Sequence, residues 1–167
     1  MPTIRAHGID VGLPAGWDGR ISVRADGAPE AAITASGTRV ATLRARPVAH
    51  LANVGLPADR GDFGSGAVEL MGDRDVFVVL FEYEPDATAT ALFRAQGFPR
   101  ALDVRDFEPA TLRRAIAGQS AHQVFFQESG RAFCLYVVLG AHARRAALVP
   151  IVNRVLASVR IDPPAGG

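Results

Sequence analysis

The 167-residue chain contains no lysine; all 18 of its basic residues are arginine. That excludes Schiff-base chemistry and a P-loop lysine, both of which need an ammonium on a flexible stem. The arginine bias itself, with abundant Ala and Gly, is the composition of a GC-rich genome. Cysteine is nearly as scarce: Cys134 is the only one. Neither an internal disulfide nor a thiolate metal cluster can form, and a thiol inside the apolar run 132–139 reads as buried and inert. No apolar run approaches the ~20 residues of a membrane-spanning helix. The opening MPTIRAHGIDVGL lacks a basic region followed by an apolar stretch of about 7–15 residues, so we expect no signal peptide and a cytoplasmic protein. The formal net charge is +1, which argues against a nucleic-acid partner.

What remains is an ordinary globular composition, 49% apolar and 21% charged. Folding at this length buries roughly 70% of the unfolded chain's surface, so stability needs neither disulfide nor metal. The expectation is one α+β domain over residues 1–161 and a flexible tail over 162–167.

The chain is organised around residues 49–84. Its last part reads as the only long stretch apolar on both faces. Val76, Val78 and Leu80 point to one side of a strand and Phe77, Val79 and Phe81 to the other, which predicts a central strand over 75–83. Immediately before it, Leu56 to Gly66 (LPADRGDFGSG) forms a Gly-rich loop carrying Arg60, Asp62 and Phe63.

The other elements follow from period and punctuation. Ile9, Val11 and Leu13, then Ile21 and Val23, predict two short strands joined by a turn at Pro14–Trp17, with Trp17 closing the end of a sheet. Residues 26–36 read as a loop, 40–44 as a strand ended by Pro47, and 50–54 as an extended segment. A helical stretch is expected over 87–95, stopped by Gly97-Phe98-Pro99. A short surface helix is expected over 106–118, with Phe107, Leu112 and Ile116 on one stripe. Segments 123–127 and 131–139 form a hairpin about Glu128-Ser129-Gly130. A final helix starts near Ala147, placing Pro150 in its first turn. The sum is an antiparallel sheet of about six or seven strands packed by helices.

Two stretches carry a resemblance: Leu13-Pro14-Ala15-Gly16-Trp17 after the opening strand, and the closing helix Val152-Asn153-Arg154-Val155-Leu156-Ala157-Ser158-Val159 preceded by a hairpin. Together they resemble the PsbP/Mog-type α/β/α sandwich, a curved antiparallel sheet with helices on both faces, which LpqN-type lipoproteins share. The chain is also similar to uncharacterised actinobacterial proteins with an LP-loop followed by GDFGSGAVELMG. The resemblance implies a binding module acting on larger partners, not a catalyst. The chain departs from the lipoprotein members in lacking a lipidated Cys, and no functional residue is carried over.

Candidate chemistry centres on the 56–66 loop. It matches no phosphate-binding motif, because a strand and not a helix follows it. Phe63 at a Gly-flanked tip suits an anchor, and Arg60 suits a carboxylate or phosphate; the bland reading is an Arg60–Asp62 surface pair with Phe63 tucked in. The four histidines show no metal-ligand spacing, although His50, His122 and Glu69 or Glu82 are a conceivable cross-strand set. Glu82 and Glu84 share a strand face, and Arg113-Arg114 and Arg144-Arg145 lack interleaved aromatics. The leading expectation is a soluble, non-enzymatic binding or adaptor module. It would recognise a protein partner or a second copy through Arg60, Asp62, Phe63 and His50 and the adjacent sheet edge, with no metal and no cofactor. The alternative is a small-molecule-binding protein or hydrolase with a pocket near His50, Asp62 and Glu69. A third reading is a structural subunit of a larger assembly.

Overall fold

A computed structural model describes residues 1–24, 30–33, 39–42 and 46–165, with backbone alone for 30–33 and 39–42. Its strands are β1 (Thr3–Ala6), β2 (Ile9–Gly12), β3 (Asp18–Val23), β4 (Glu30–Ile33), β5 (Arg39–Thr42), β6 (Pro47–Ala52), β7 (Val76–Glu82), β8 (Ser120–Glu128), β9 (Arg131–Leu139) and β10 (Arg160–Ile161); the α-helix is α1 (Arg145–Leu156). The fold is α+β, and among the described residues every strand pair is antiparallel. A five-stranded sheet has the order β3-β6-β7-β9-β8, a three-stranded sheet the order β1-β2-β10, and β4 pairs β5.

β7 lies third of five, as its two apolar faces require. Val76, Val78 and Leu80 join one hydrophobic cluster; Phe77, Val79 and Phe81 join the other. It is not the only strand covered on both sides: all nine residues of β9 are buried. β8 and β9 meet in a two-residue turn, where Ser129 (φ 54) and Gly130 (φ 75) both adopt the left-handed conformation that matches strand twist.

One face of the large sheet is covered by regular structure. Leu148, Val149, Val152, Val155 and Leu156 of α1 pack there beside Ile9 and Val11 of β2. The helix begins at Arg145, so Pro150 falls inside it and not in its first turn. Pro150 is exposed, so the Ala146 carbonyl deprived of its donor can bond water. Arg131 fastens this layer to the sheet. It pairs in a fork with Glu82, Nε to Oε1 at 2.9 Å and Nη2 to Oε2 at 2.6 Å, and donates to the carbonyls of His7 (2.9 Å) and Asp162 (3.0 Å). Asp162, expected in the tail, also donates its N–H to Gly8.

Four local readings change. β2 and β3, expected as neighbours about one turn, belong to different sheets, and a turn at His7-Gly8 adds β1 before them. Within 26–36, Glu30–Ile33 is a strand paired to β5; residues 26–29, 34–36 and Arg44 lie outside the described residues. The 87–95 stretch forms 3-10 turns, Pro85–Ala89 and Ala91–Phe93, because the Thr88 and Thr90 hydroxyls bond back to Pro85 and Ala87 (2.8 Å each) and Thr90 is extended. The 106–118 stretch is no helix beyond the 3-10 turns Val104–Asp106 and Pro109–Thr111. The chain rounds the edge of β8 there, through the Glu108–Ala121 bridge. Phe107 therefore packs on the helix side while Leu112 and Ile116 pack on the other.

Candidate functional site

The second face of the five-stranded sheet is covered by loops. β6 presents Val48, His50 and Ala52 to it, β7 presents Phe77, Val79 and Phe81, and β9 presents Cys134, Tyr136 and Val138. Over them lies the Gly-rich loop and the 3-10 turn Val68–Leu70. Gly64 (φ 93) lies flat on β7: a Cβ there would stand 2.5 Å from the Phe77 ring. Gly66 (φ 89) would place a Cβ 2.8 Å from the Asp59 carbonyl. The glycines bend the loop inward onto the sheet, not outward to solvent.

Each expected loop residue has an internal partner. Arg60 Nε donates to His50 Nδ1 (2.9 Å) and Nη1 to the Pro57 carbonyl (2.8 Å). With Nδ1 accepting, His50 Nε2 carries the hydrogen and donates to the Asp62 carbonyl at 2.7 Å. His50 is 3% exposed and stacks on Phe77; burial lowers its pKa, the Asp62 carbonyl opposes that shift, and the Arg60 charge adds to it. Both ring nitrogens are engaged, so His50 is a brace for the loop and not a free base. The Asp62 carboxylate pairs with Arg24 (3.0 Å), and the Leu56 N–H bonds Asp18 (2.9 Å), which binds the loop to edge strand β3. The Arg60–Asp62 surface pair offered as the bland alternative is replaced by these links.

Phe63 is half-buried. Its ring stacks on Phe81 with centroids 5.0 Å apart and meets Tyr136 edge-on at 5.8 Å. The Arg113 guanidinium lies 3.5 Å above the Phe63 centroid, and Arg24 lies 4.3 Å from that of Phe81. The result is a column of guanidinium, ring, ring and guanidinium.

Beside this column opens a cleft of about 410 Å³. Val68, Leu112, Tyr136 and Val138 supply its apolar surface; Asp62, Ser65, Glu69, Arg113 and Arg114 supply its polar groups. Glu69 accepts from the Gly66 N–H (2.7 Å) and pairs with Arg114 (3.3 Å). Gln119 is 4% exposed and donates Nε2 to the Val68 carbonyl (2.8 Å), holding the 3-10 turn. The Arg113 N–H donates to the Tyr136 hydroxyl (3.0 Å), and burial raises that phenol's pKa.

Asp62, Phe63 and Glu69 thus meet at the cleft, whereas His50 and Arg60 stand behind its wall. Sequence reasoning missed Arg113, Gln119 and Tyr136 as cleft residues; Arg113 was visible only as half of a basic pair. The cross-strand metal set is not assembled. His122 follows the parity of Val124 and Phe126 on the helix side, against Phe107, while His50 faces the loops. Among the described residues no group of His, Cys, Asp and Glu can hold a metal. Glu82 turns to Arg131 and Glu84 to Arg46. Burial pushes the Cys134 thiol up to about 11, which keeps it protonated and unreactive. No helix among the described residues is long and apolar enough to cross a membrane. No protein-family model, curated protein or solved structure matches the chain.

Proposed function

We propose that the protein is a non-enzymatic binding module whose recognition site is the cleft between the Gly-rich loop and the 112–119 segment. The observation that carries this reading is the cleft itself: concave, apolar at its base, with charged groups at its rim and a volume within the range of small-molecule sites. The inward-tied loop favours an occupant that enters the cleft over a partner gripped by a projecting Phe63. The braced His50 and the protonated Cys134 support a binder over a hydrolase.

Native mass spectrometry of the gently purified protein tests this. A retained small molecule, lost on Leu112→Trp substitution, is the expected result; an empty chain that is also insensitive to ligand libraries would overturn it.

A second reading keeps the same face but seats a protein partner or second copy across the cleft mouth. Leu70, 67% exposed and next to the cleft residue Glu69, favours it, as does Leu92 at 56%. Solution mass separates the two, and a structural subunit of a larger assembly would also declare itself there. Fold placement in the PsbP/Mog-type α/β/α sandwich belongs to the same proposal. It is supported by the antiparallel sheet with α1 on one face, while the other face here carries loops. A cytoplasmic location and the lack of a nucleic-acid partner complete the reading; the basic pairs are engaged locally, Arg114 with Glu69 and Arg144 with Asp73.

A further inference from the structure

The structure assigns the cleft a ligand class: we propose that it binds a small amphipathic monocarboxylate, clamped by the guanidinium of Arg113. The inference rests on reading the cleft as the recognition site. Its starting point is how the arginines are spent. Arg114 is paired to Glu69, Arg60 is bonded to His50, and Arg131 is saturated by Glu82 and carbonyls. Arg113 differs from these. Among the described residues no carboxylate or carbonyl bonds its guanidinium, which lies on the Phe63 ring at the cleft wall. Stacking engages the face of the guanidinium and leaves the N–H donors at its edge available, the fork geometry that matches a carboxylate in two parallel bonds.

Charge count selects a monoanion. The carboxylates of Asp62 and Glu69 are already met by Arg24 and Arg114, which leaves Arg113 as the lining cation with no carboxylate of its own among the described residues. One carboxylate neutralises it. A phosphate monoester dianion would leave a negative charge beside Asp62 and Glu69. The body of the ligand is apolar, because Val68, Leu112 and Val138 form the base. A cleft of about 410 Å³, at about 30 Å³ for each liquid water it would displace, holds roughly a dozen non-hydrogen atoms.

Octanoate, octan-1-ol and octyl phosphate, titrated at pH 7.5 below their aggregation limits, test the assignment by calorimetry and by amide chemical-shift mapping. Octanoate is expected to saturate one site and shift Leu112 and Val138. It should bind at least tenfold tighter than octan-1-ol and tighter than octyl phosphate. Arg113→Gln, with an unchanged unfolding midpoint, should weaken octanoate tenfold or more and leave octan-1-ol unaffected, the loss expected for a hydrogen bond to a charged group. If octan-1-ol or octyl phosphate equals octanoate, or Arg113→Gln leaves octanoate unchanged, the carboxylate assignment is overturned while the cleft reading stands. If none of the three shifts the cleft resonances, the carboxylate assignment is overturned, and the cleft reading falls with it if native mass spectrometry and ligand libraries also find the chain empty.

Discussion

The two faces of the five-stranded sheet are built from the same strands and end in different states. The face under α1 is almost wholly apolar: Leu135, Val137 and Leu139 of β9 share one cluster with Val152, Val155 and Leu156 of the helix and with Phe98, Phe107, Phe126 and Phe133. Regular elements cover much of it, and each satisfies most of its own backbone groups. The other face is aromatic and polar: Phe63, Phe81, Tyr136, His50 and the two stacked arginines lie under irregular chain. A loop must find partners for its backbone one bond at a time, and those anchors fix where it touches the sheet and where it stands off. The cleft is the place where two such loops stand apart. Sealing comes from regular structure; concavity comes from loops tied down at a few points.

The comparison can be broken most sharply at the polar knot of the sealed face. Arg131→Met removes the partner of Glu82 and the donor for the His7 and Asp162 carbonyls. Stripping one member from such a buried pair is expected to cost about 3–5 kcal/mol in urea unfolding. Replacing Glu82 with Leu in the same chain should recover part of that loss, because the stranded charge is gone.

Gly64→Ala attacks the loop face. A left-handed φ costs a substituted residue about 1–2 kcal/mol and forced overpacking about 1–3 kcal/mol. The expected loss is therefore roughly 2–5 kcal/mol, with chemical-shift changes confined to the loop, Phe77 and the cleft. Equal disturbance of α1 resonances would deny the independence of the two faces.

His50 gives the loop face a pH dependence. Its folded pKa lies below the unfolded histidine value of about 6.5, chiefly through burial. The unfolded chain then binds the proton first as pH falls. The contribution of His50 is complete above about 6.5 and is lost progressively below it, down to the lowered folded value. Unfolding midpoints measured at pH 7.5 and 5.5 should fall on acidification in the parent and fall less in His50→Gln. An identical drop in both proteins would remove His50 as the cause.

The smallest effect is expected at Arg113. Its side chain is exposed and rests on Phe63, with the Tyr136 ring farther off at 5.6 Å, so Arg113→Gln should change stability by no more than about 0.5–1 kcal/mol. A larger loss would mean that this residue supports the fold and is not held ready for a ligand.

Much of the sealed face was legible from local pattern. The unbroken apolar run Val76–Phe81 predicts a central strand covered on both faces, the spacing of Leu148, Val152 and Val155 predicts a helix facing it, and Ser129-Gly130 predicts the hairpin between β8 and β9. Those features depend on residues within a few positions of one another. The loop face was legible only as a suspicion about Arg60, Asp62 and Phe63. The same Phe63 reads as an outward anchor or an inward ring until β7 and β9 place Phe81 and Tyr136 beneath it.

By itself, then, the sequence determined which strand is central, which of its residues face which way, and that the Gly-rich segment bends. Periodicity and φ preferences are local properties, and they suffice for that. Only the tertiary structure decided that Phe107 and Leu112 part around the edge of β8, that His50 spends both nitrogens on the loop, and that Arg113 meets Phe63 from 50 positions away in the chain. Each of those is a contact between distant residues, and which partner a side chain finds depends on where every strand of the sheet has already gone.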